Sequence, residues 1–385
     1  MDKVGVIALI LAVGLGSAPA QAAPPPASWG QDGYGPGNTR YNPAESVINT
    51  RSVGRLKLRW TVNPAPDRPG CEAGQVAPRV VDDRVFLREG GGVAAHSATT
   101  GKRLWINTGF SHVTAGPIVA GGLVLVAGTK CESNSDYEGS LIALDAKTGA
   151  QRWRRTGEWT VDTAVSDAGA IVTSGYCRTC TAGHGVNAYR LSDGTPLWTH
   201  RDEVLAGPVS AGGTILLRRT TGGALTWAGR IGTGEQVWGN DLGPVAAAAN
   251  PAGTQFYLRD ETGLCARATT DGHQLWQVAK EAGDLAADGR RVYVASVGRV
   301  NTYDAGTGRL VWTRAVDSPR EPVRAGGLLY VLSGKGSLTI LSAADGKPVA
   351  AKPAVKGLTA HVVPAGGRLL VTQQRTILSL IHISE

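Results

Sequence analysis

Ala143-Leu144-Asp145-Ala146-Lys147-Thr148-Gly149-Ala150-Gln151-Arg152-Trp153 joins an apolar run to a basic strand through a tight turn. Gly149 suits that turn because glycine adopts positive φ without steric cost. Tryptophan follows glycine by four positions at six places spaced 36–48 residues apart: Gly101–Trp105, Gly149–Trp153, Gly194–Trp198, Gly234–Trp238, Gly272–Trp276 and Gly308–Trp312. A seventh copy, Gly346 to Ala350, lacks the indole. Trp60, in Leu56-Lys57-Leu58-Arg59-Trp60-Thr61, reads as one more copy of the same strand. The spacings from Trp60 through to Ala350 are 45, 48, 45, 40, 38, 36 and 38 residues.

A second signal has different chemistry. Small-residue turns between apolar runs fall at Asp82-Asp83, Gly121-Gly122, Ala168-Gly169, Gly212-Gly213, Ala252-Gly253, Asp288-Gly289, Gly326-Gly327 and Gly366-Gly367. Both signals count eight units. One unit, residues 116–155, reads as four short strands, and such a unit repeated about every 40 residues is the pattern of a propeller blade. The fold class is therefore all-β: an eight-bladed β-propeller of four-stranded antiparallel blades. Residues 56–62 supply one outer strand, and residues 361–380 supply three more. Three plus one completes the eighth blade, so the N-terminal strand pairs with the C-terminal blade and leaves no open edge. Trp60, Trp105, Trp153, Trp198, Trp238, Trp276 and Trp312 are expected to wedge between blades, each contributing about 2–3 kcal/mol of burial.

Composition agrees with this reading. Glycine numbers 53 of 385 residues, about twice the usual 7%. The net charge is +8, but the cations are scattered, which argues for a solvated surface and against a nucleic-acid partner. Past residue 20 no apolar run is long enough to span a membrane, which takes about 20 residues. Residues 1–22 have the form of a signal peptide. Lys3 starts it, Val4 to Leu15 is the apolar core, and Ala20-Gln21-Ala22 is the cleavage site. The protein is thus expected to be secreted or periplasmic, and monomeric. Residues 23–55 read as an extended leader and opening motif, and 56–385 as the propeller. Ser379 to Glu385 break the repeat where an Asp-x-x-Thr-Gly turn is expected and look like translated adapter sequence, so no role is assigned to His382.

Five cysteines suit an oxidising compartment. Cys177-Arg178-Thr179-Cys180 followed by His184 has the wrong spacing for a c-type haem and no second ligand pair for zinc. A local disulfide is the preferred reading, and no metal site is expected.

The repeats at 143–153 and 303–312 resemble the tryptophan-docking motif of the pyrroloquinoline-quinone (PQQ) propellers. Trp29-Gly30-Gln31-Asp32, Asn38-Thr39-Arg40-Tyr41-Asn42-Pro43 and Val53-Gly54-Arg55-Leu56-Lys57 are similar to the start of quinoprotein alcohol dehydrogenases. That resemblance implies the scaffold. It also implies PQQ with Ca²⁺ if the chain is an enzyme. The chain departs from the dehydrogenases in having no adjacent cysteines, no haem-attachment motif and no matched catalytic aspartate, so no catalytic residue is assigned and no cofactor is expected.

In such a ring, the loops entering the inner strands and those between second and third strands share one face. Cys71, Cys131, Cys177 and Cys180 all fall there. Cys71–Cys131 and Cys177–Cys180 are the expected disulfides, with Cys265 a buried thiol on an inner-to-middle strand. Glu72, Gln75, His112, Thr114, Asp162, Thr163, Arg320, Glu321 and His361 lie near inner-strand starts on that face and are the candidate lining of a ligand funnel. Three functions follow: a secreted binding or scaffold module without catalysis, its partner a small molecule or protein on the loop face; a PQQ-dependent alcohol or sugar dehydrogenase; or a protein-interaction propeller similar to the outer-membrane barrel-assembly lipoprotein.

Overall fold

The computed structural model describes residues 28–382 apart from 68, 72–75, 111, 130–138, 158, 178–182, 224, 241–242, 335, 351–356 and 358. The chain forms eight sheets of four strands each. Blades 1 to 6 occupy residues 79–107, 112–157, 160–201, 203–240, 245–279 and 284–315. Blade 7 spans 320–342, and blade 8 spans 359–382. Each of the eight sequence-read turns joins the first and second strands of a blade. Among the described residues no helix is long and apolar enough to cross a membrane.

Closure is noncovalent. Leu56–Val62 pairs antiparallel with Thr376–His382, in the register Leu58↔Leu380 and Thr61↔Leu378. This outer strand completes blade 8 and closes the ring. A core cluster joins Leu56, Trp60 and Val62 to Val363, Leu370 and Leu380 across the seam.

The indoles hold neighbouring blades together in a fixed way. Each N–H donates to a carbonyl in the next blade: Trp60 to Ala98, Trp105 to Ala146, Trp153 to Leu191, Trp198 to Ile231, Trp238 to Thr269, Trp276 to Ala305 and Trp312 to Ala343. The ring itself packs on the positive-φ glycine of that next turn. Gly101, Gly149, Gly194, Gly234, Gly272, Gly308 and Gly346 each receive one indole, and a Cβ there would meet it at 2.6–3.0 Å. The side chain two positions after the tryptophan often completes the clamp. Asn107, Arg155, His200 and Arg314 bond the carbonyls of Gly149, Gly194, Gly234 and Gly346.

Blade 7 has no such indole, and the fold shows why. Blade 8 has no turn between its third and outer strands, since those come from opposite ends of the chain. Among the described residues no docking glycine stands where a tryptophan from blade 7 would be received. Ala350 instead sits beside Gly54, whose Cβ would lie 3.5 Å from the Ala350 carbonyl. Among the described residues the outer position of blade 7 holds one bridge, Leu341↔Pro348.

Residues 29–45, read from sequence as a leader and opening motif, form a strap. It runs around the axis at the C-terminal ends of the inner strands and touches the blades in order. Trp29 bridges Val80 of blade 1, and the Gly30 carbonyl accepts from Val119 of blade 2 at 2.7 Å. The Gln31 amide mimics a strand: it donates to the Ser166 carbonyl at 2.6 Å and accepts from the Ser166 N–H at 3.1 Å in blade 3. The carbonyls of Pro36, Gly37, Thr39 and Arg40 accept from Ser210, Ala249, Ala287 and Arg324 of blades 4 to 7. Tyr41–Asn42 adds a short parallel pairing to blade 7, and the Asn42 amide donates to Pro364 of blade 8. The strap thereby spans one mouth of the ring.

Candidate functional site

Inner strands start on one face, and the strap crosses the other. The strap therefore lies across the axial end at which the inner strands finish. Asp32 and Arg40 of the strap meet Arg79 of blade 1, Glu321 of blade 7 and His361 of blade 8. These blades are neighbours, so the charged cluster lies where the ring closes.

Arg79 is buried and bonds the carbonyls of Pro117 and Ala77 at 2.8 and 2.7 Å. Its guanidinium lies 3.6 Å from Asp32, whose side chain is still 67% accessible. Asp32 is thus hemmed in by protein yet faces open space, as expected of a shaft-lining group. Burial alone would push its carboxyl up, but Arg79, Arg40, His361 and the Gly33 N–H hold it below the usual range. Burial likewise pulls the Arg79 guanidinium down, against the opposing effect of Asp32.

Glu321 is the hub of the second group. Its carboxylate accepts from His361 Nδ1 at 3.0 Å and lies 4.0 Å from Arg40. Its own N–H donates to Asp284 at 3.1 Å. Glu321 holds a left-handed φ of 46°, a conformation that costs a non-glycine residue energy and concentrates at sites where geometry is over-determined. The carboxylate fixes the imidazole by its Nδ1–H, the arrangement that orients a histidine for binding or proton transfer.

The other sequence-read residues are more dispersed. His112 Nδ1 donates to the Cys71 carbonyl at 2.7 Å, which ties the loop before blade 1 to blade 2. The Thr114 hydroxyl is buried with no hydrogen-bond partner among the described residues. Asp162 sits exposed at the bulge of its strand, next to Thr163. Partial burial pushes the Asp162 carboxyl up while His184 opposes the shift. Arg320 is exposed at the start of its strand. Glu72 and Gln75 lie outside the described residues, as do Cys131 and Cys180. Cys71 and Cys177 are both buried. Cys265 is a free, buried thiol on the third strand of its blade, and burial pushes that thiol up.

Sequence reasoning thus reached Glu321 and His361 and passed over Asp32, Arg40 and Arg79. Asp32 and Arg40 belong to the opening motif at 29–43, which by itself gives them no place in space. Calcium takes six to eight oxygen ligands. Among the described residues no three His, Cys, Asp or Glu side chains gather to hold a metal ion, and Asp32 and Glu321 are each engaged by cationic or imidazole partners.

An eight-bladed ring with indoles docked on the next blade's turn and a polar shaft is a PQQ-like propeller. The family model described as outer membrane protein assembly factor BamB matches residues 57–201 and 182–384, and the chain belongs to that family. Among curated proteins it is similar to polyvinylalcohol dehydrogenase of Pseudomonas sp, 33% identical over 135 residues. That match takes in 34% of this chain and 20% of the relative. The polyvinylalcohol dehydrogenase of Sphingopyxis sp. (strain 113P3) is 29% identical over 133 residues, again 34% of this chain and 18% of the relative. The chain therefore matches about a fifth of the length of these relatives. Among solved structures, quinohemoprotein alcohol dehydrogenase from Comamonas testosteroni aligns with TM-score 0.65 at 14% identity, over 95% of this chain and 82% of that one. BamB from Moraxella catarrhalis aligns with TM-score 0.58 at 17% identity, over 85% of this chain and 99% of that one. At these identities the structural likeness speaks for the fold.

Proposed function

We propose that the chain is a binding propeller of the cell envelope, which takes a small polar molecule or a partner's side chain into its axial shaft and performs no chemistry of its own. The observation that carries this reading is the strap. It crosses the ring axis and sets Asp32 and Arg40 beside the Glu321–His361 pair, so that donors and acceptors of three neighbouring blades converge. The signal-like residues 1–22 and the likeness to an outer membrane assembly factor support the envelope location. The second reading, a PQQ-dependent dehydrogenase of alcohols or sugars, is favoured by the two polyvinylalcohol dehydrogenase relatives.

Calorimetry on the purified chain with PQQ and Ca²⁺ separates the two. No heat of binding, and no dye reduction when alcohols are added, fits the binding module. Tight uptake with alcohol-dependent dye reduction overturns it. A thermal-shift screen of small polar molecules, repeated on Arg40→Ala and His361→Ala, locates the ligand. Hits that survive both substitutions would remove the shaft from consideration.

A further inference from the structure

On the strap face a cavity of about 1060 Å³ opens between the strap and blades 1 to 3. Small-molecule sites commonly fall near 300–1,000 Å³, so it can hold a ligand of ordinary size. Phe86, Val119, Leu123 and Leu191 give it an apolar lining, and Tyr34 and Pro36 of the strap wall it. Tyr34 holds a φ of 90°, a strained conformation that shapes this wall.

The polar groups around this lining are unequally committed. The Asp167 carboxylate accepts from Ser210, Gly213 and Ala168. That of Asp145 accepts from the Lys147 and Thr148 N–H groups, the Thr148 hydroxyl and Arg152. The cations keep donors to spare. Arg84 spends one nitrogen on Asp83, and its Nε–H is buried with no partner. The Lys147 ammonium has no partner among the described residues, and Arg152 spends one nitrogen of its fork on Asp145. Five guanidinium N–H donors and three ammonium donors are available per side chain. The exposed Asp82 carboxylate also lines the cavity, so the rim holds both signs, and its free donors are those of Arg84, Lys147 and Arg152. An apolar floor beneath them is complementary to an apolar body carrying one anionic head.

We propose that this cavity is a second site, binding a free amphiphilic anion such as a medium-chain or aryl carboxylate. The head would sit among Arg84, Lys147 and Arg152, and the body over Phe86 and Leu191. Because the cavity and the charged cluster are lined by different residues, this site and the shaft reading stand or fall separately.

The test is calorimetric titration of the full chain with dodecanoate, dodecan-1-ol and dodecyltrimethylammonium below their micelle concentrations. Saturable one-to-one binding of dodecanoate is expected, about tenfold or more tighter than the alcohol, with the cation weakest. The variant Arg84→Gln/Lys147→Gln, its fold checked by circular dichroism, should bind dodecanoate about tenfold more weakly and leave the alcohol unchanged. The proposal is overturned by equal binding of all three probes, by unchanged dodecanoate affinity in the variant, or by no saturable binding. Binding only to phosphatidylglycerol vesicles, with none to free dodecanoate, also overturns it and marks the face as a lipid surface.

Discussion

The benzo ring of Trp153 lies on the Cα of Gly194 in the following blade, where an added Cβ would meet Cε3 at 2.7 Å. Gly194 holds φ at 70°, so the turn both needs glycine and uses its bare face as a seat for the indole. The Trp153 N–H then reaches the Leu191 carbonyl at 3.0 Å, and the Arg155 Nε reaches that of Gly194 at 2.6 Å. One turn is held from above, from its start and from its end.

Removing the indole or filling its seat should therefore cost alike. Trp153→Ala is expected to lower stability by about 3–5 kcal/mol. Gly194→Ala should cost about 1–3 kcal/mol from the backbone alone, and more because its Cβ displaces the ring. Denaturant unfolding of the two single variants and the double variant checks this. Strict additivity would show that the two residues are not one contact.

Restoring the missing indole of blade 7 should gain nothing. Ala350→Trp faces no docking turn, so its unfolding midpoint should stay within about 0.5 kcal/mol of the parent. A gain of 2 kcal/mol or more, as estimated for a docked indole, would mean that the seam has a seat not seen here.

Gln31 pins the strap to blade 3 through two bonds to one residue. Gln31→Ala leaves the buried Ser166 N–H and carbonyl unpaired, at about 1–3 kcal/mol. Hydrogen exchange should quicken at Ser166 and along residues 29–42, with the outer strands unaffected. Exchange that stays slow there would mean the strap is held by its backbone contacts alone.

Acid should loosen the turn that receives Trp60. Glu89 is buried against His96 at 2.9 Å and Arg103 at 3.0 Å, while His96 also bonds the carbonyl of Gly101. Burial alone would push the Glu89 carboxyl up, but His96 and Arg103 hold it below the usual range. A carboxyl lowered on folding contributes stability above its unfolded pKa, and that contribution disappears as pH falls through the folded one. Glu89→Gln should thus be destabilised relative to the parent at pH 7, and the difference should shrink below about pH 4.5. A gap that does not change between pH 7 and pH 3 would place the effect in packing.

Peptide mapping without reduction should find Cys71 joined to Cys131 and Cys177 joined to Cys180. Cys265 should resist alkylation until the chain is unfolded, because it is only 4% exposed. Alkylation of Cys71 in the folded, unreduced protein would refute the pairing.

The ring was legible because its signals are local and repeated. A turn that needs positive φ writes glycine, and a flat seat beside it writes tryptophan, at a spacing set by one hairpin. Yet Gly149 and Trp153 do not serve each other. Gly149 seats Trp105 of the blade before, while Trp153 reaches to Gly194 in the blade after. The polar residue two places past the indole, at Asn107, Arg155, His200 and Arg314, carried the same period and went unread, because its identity changes from blade to blade while its bond does not.

The shaft was legible only in part. His361 and Glu321 were placed near the funnel by their positions at inner-strand starts, but nothing in a separation of 40 residues says that they touch. Asp32 and Arg40 sit in a segment without period, whose contacts run mostly through main-chain carbonyls, with side-chain amides at Gln31, Asn38 and Asn42. Such bonds ask little of residue type and leave little trace.

Residue choice by itself settled the number of blades, the closing pair of strands and the work of the indoles, since each rests on contacts of fixed spacing along the chain. Only the folded ring decided which charges share the shaft, where the strap runs and why Ala350 stands where a tryptophan was due. Those depend on bringing together residues up to several hundred positions apart, and distance in space is set by closure of the whole ring.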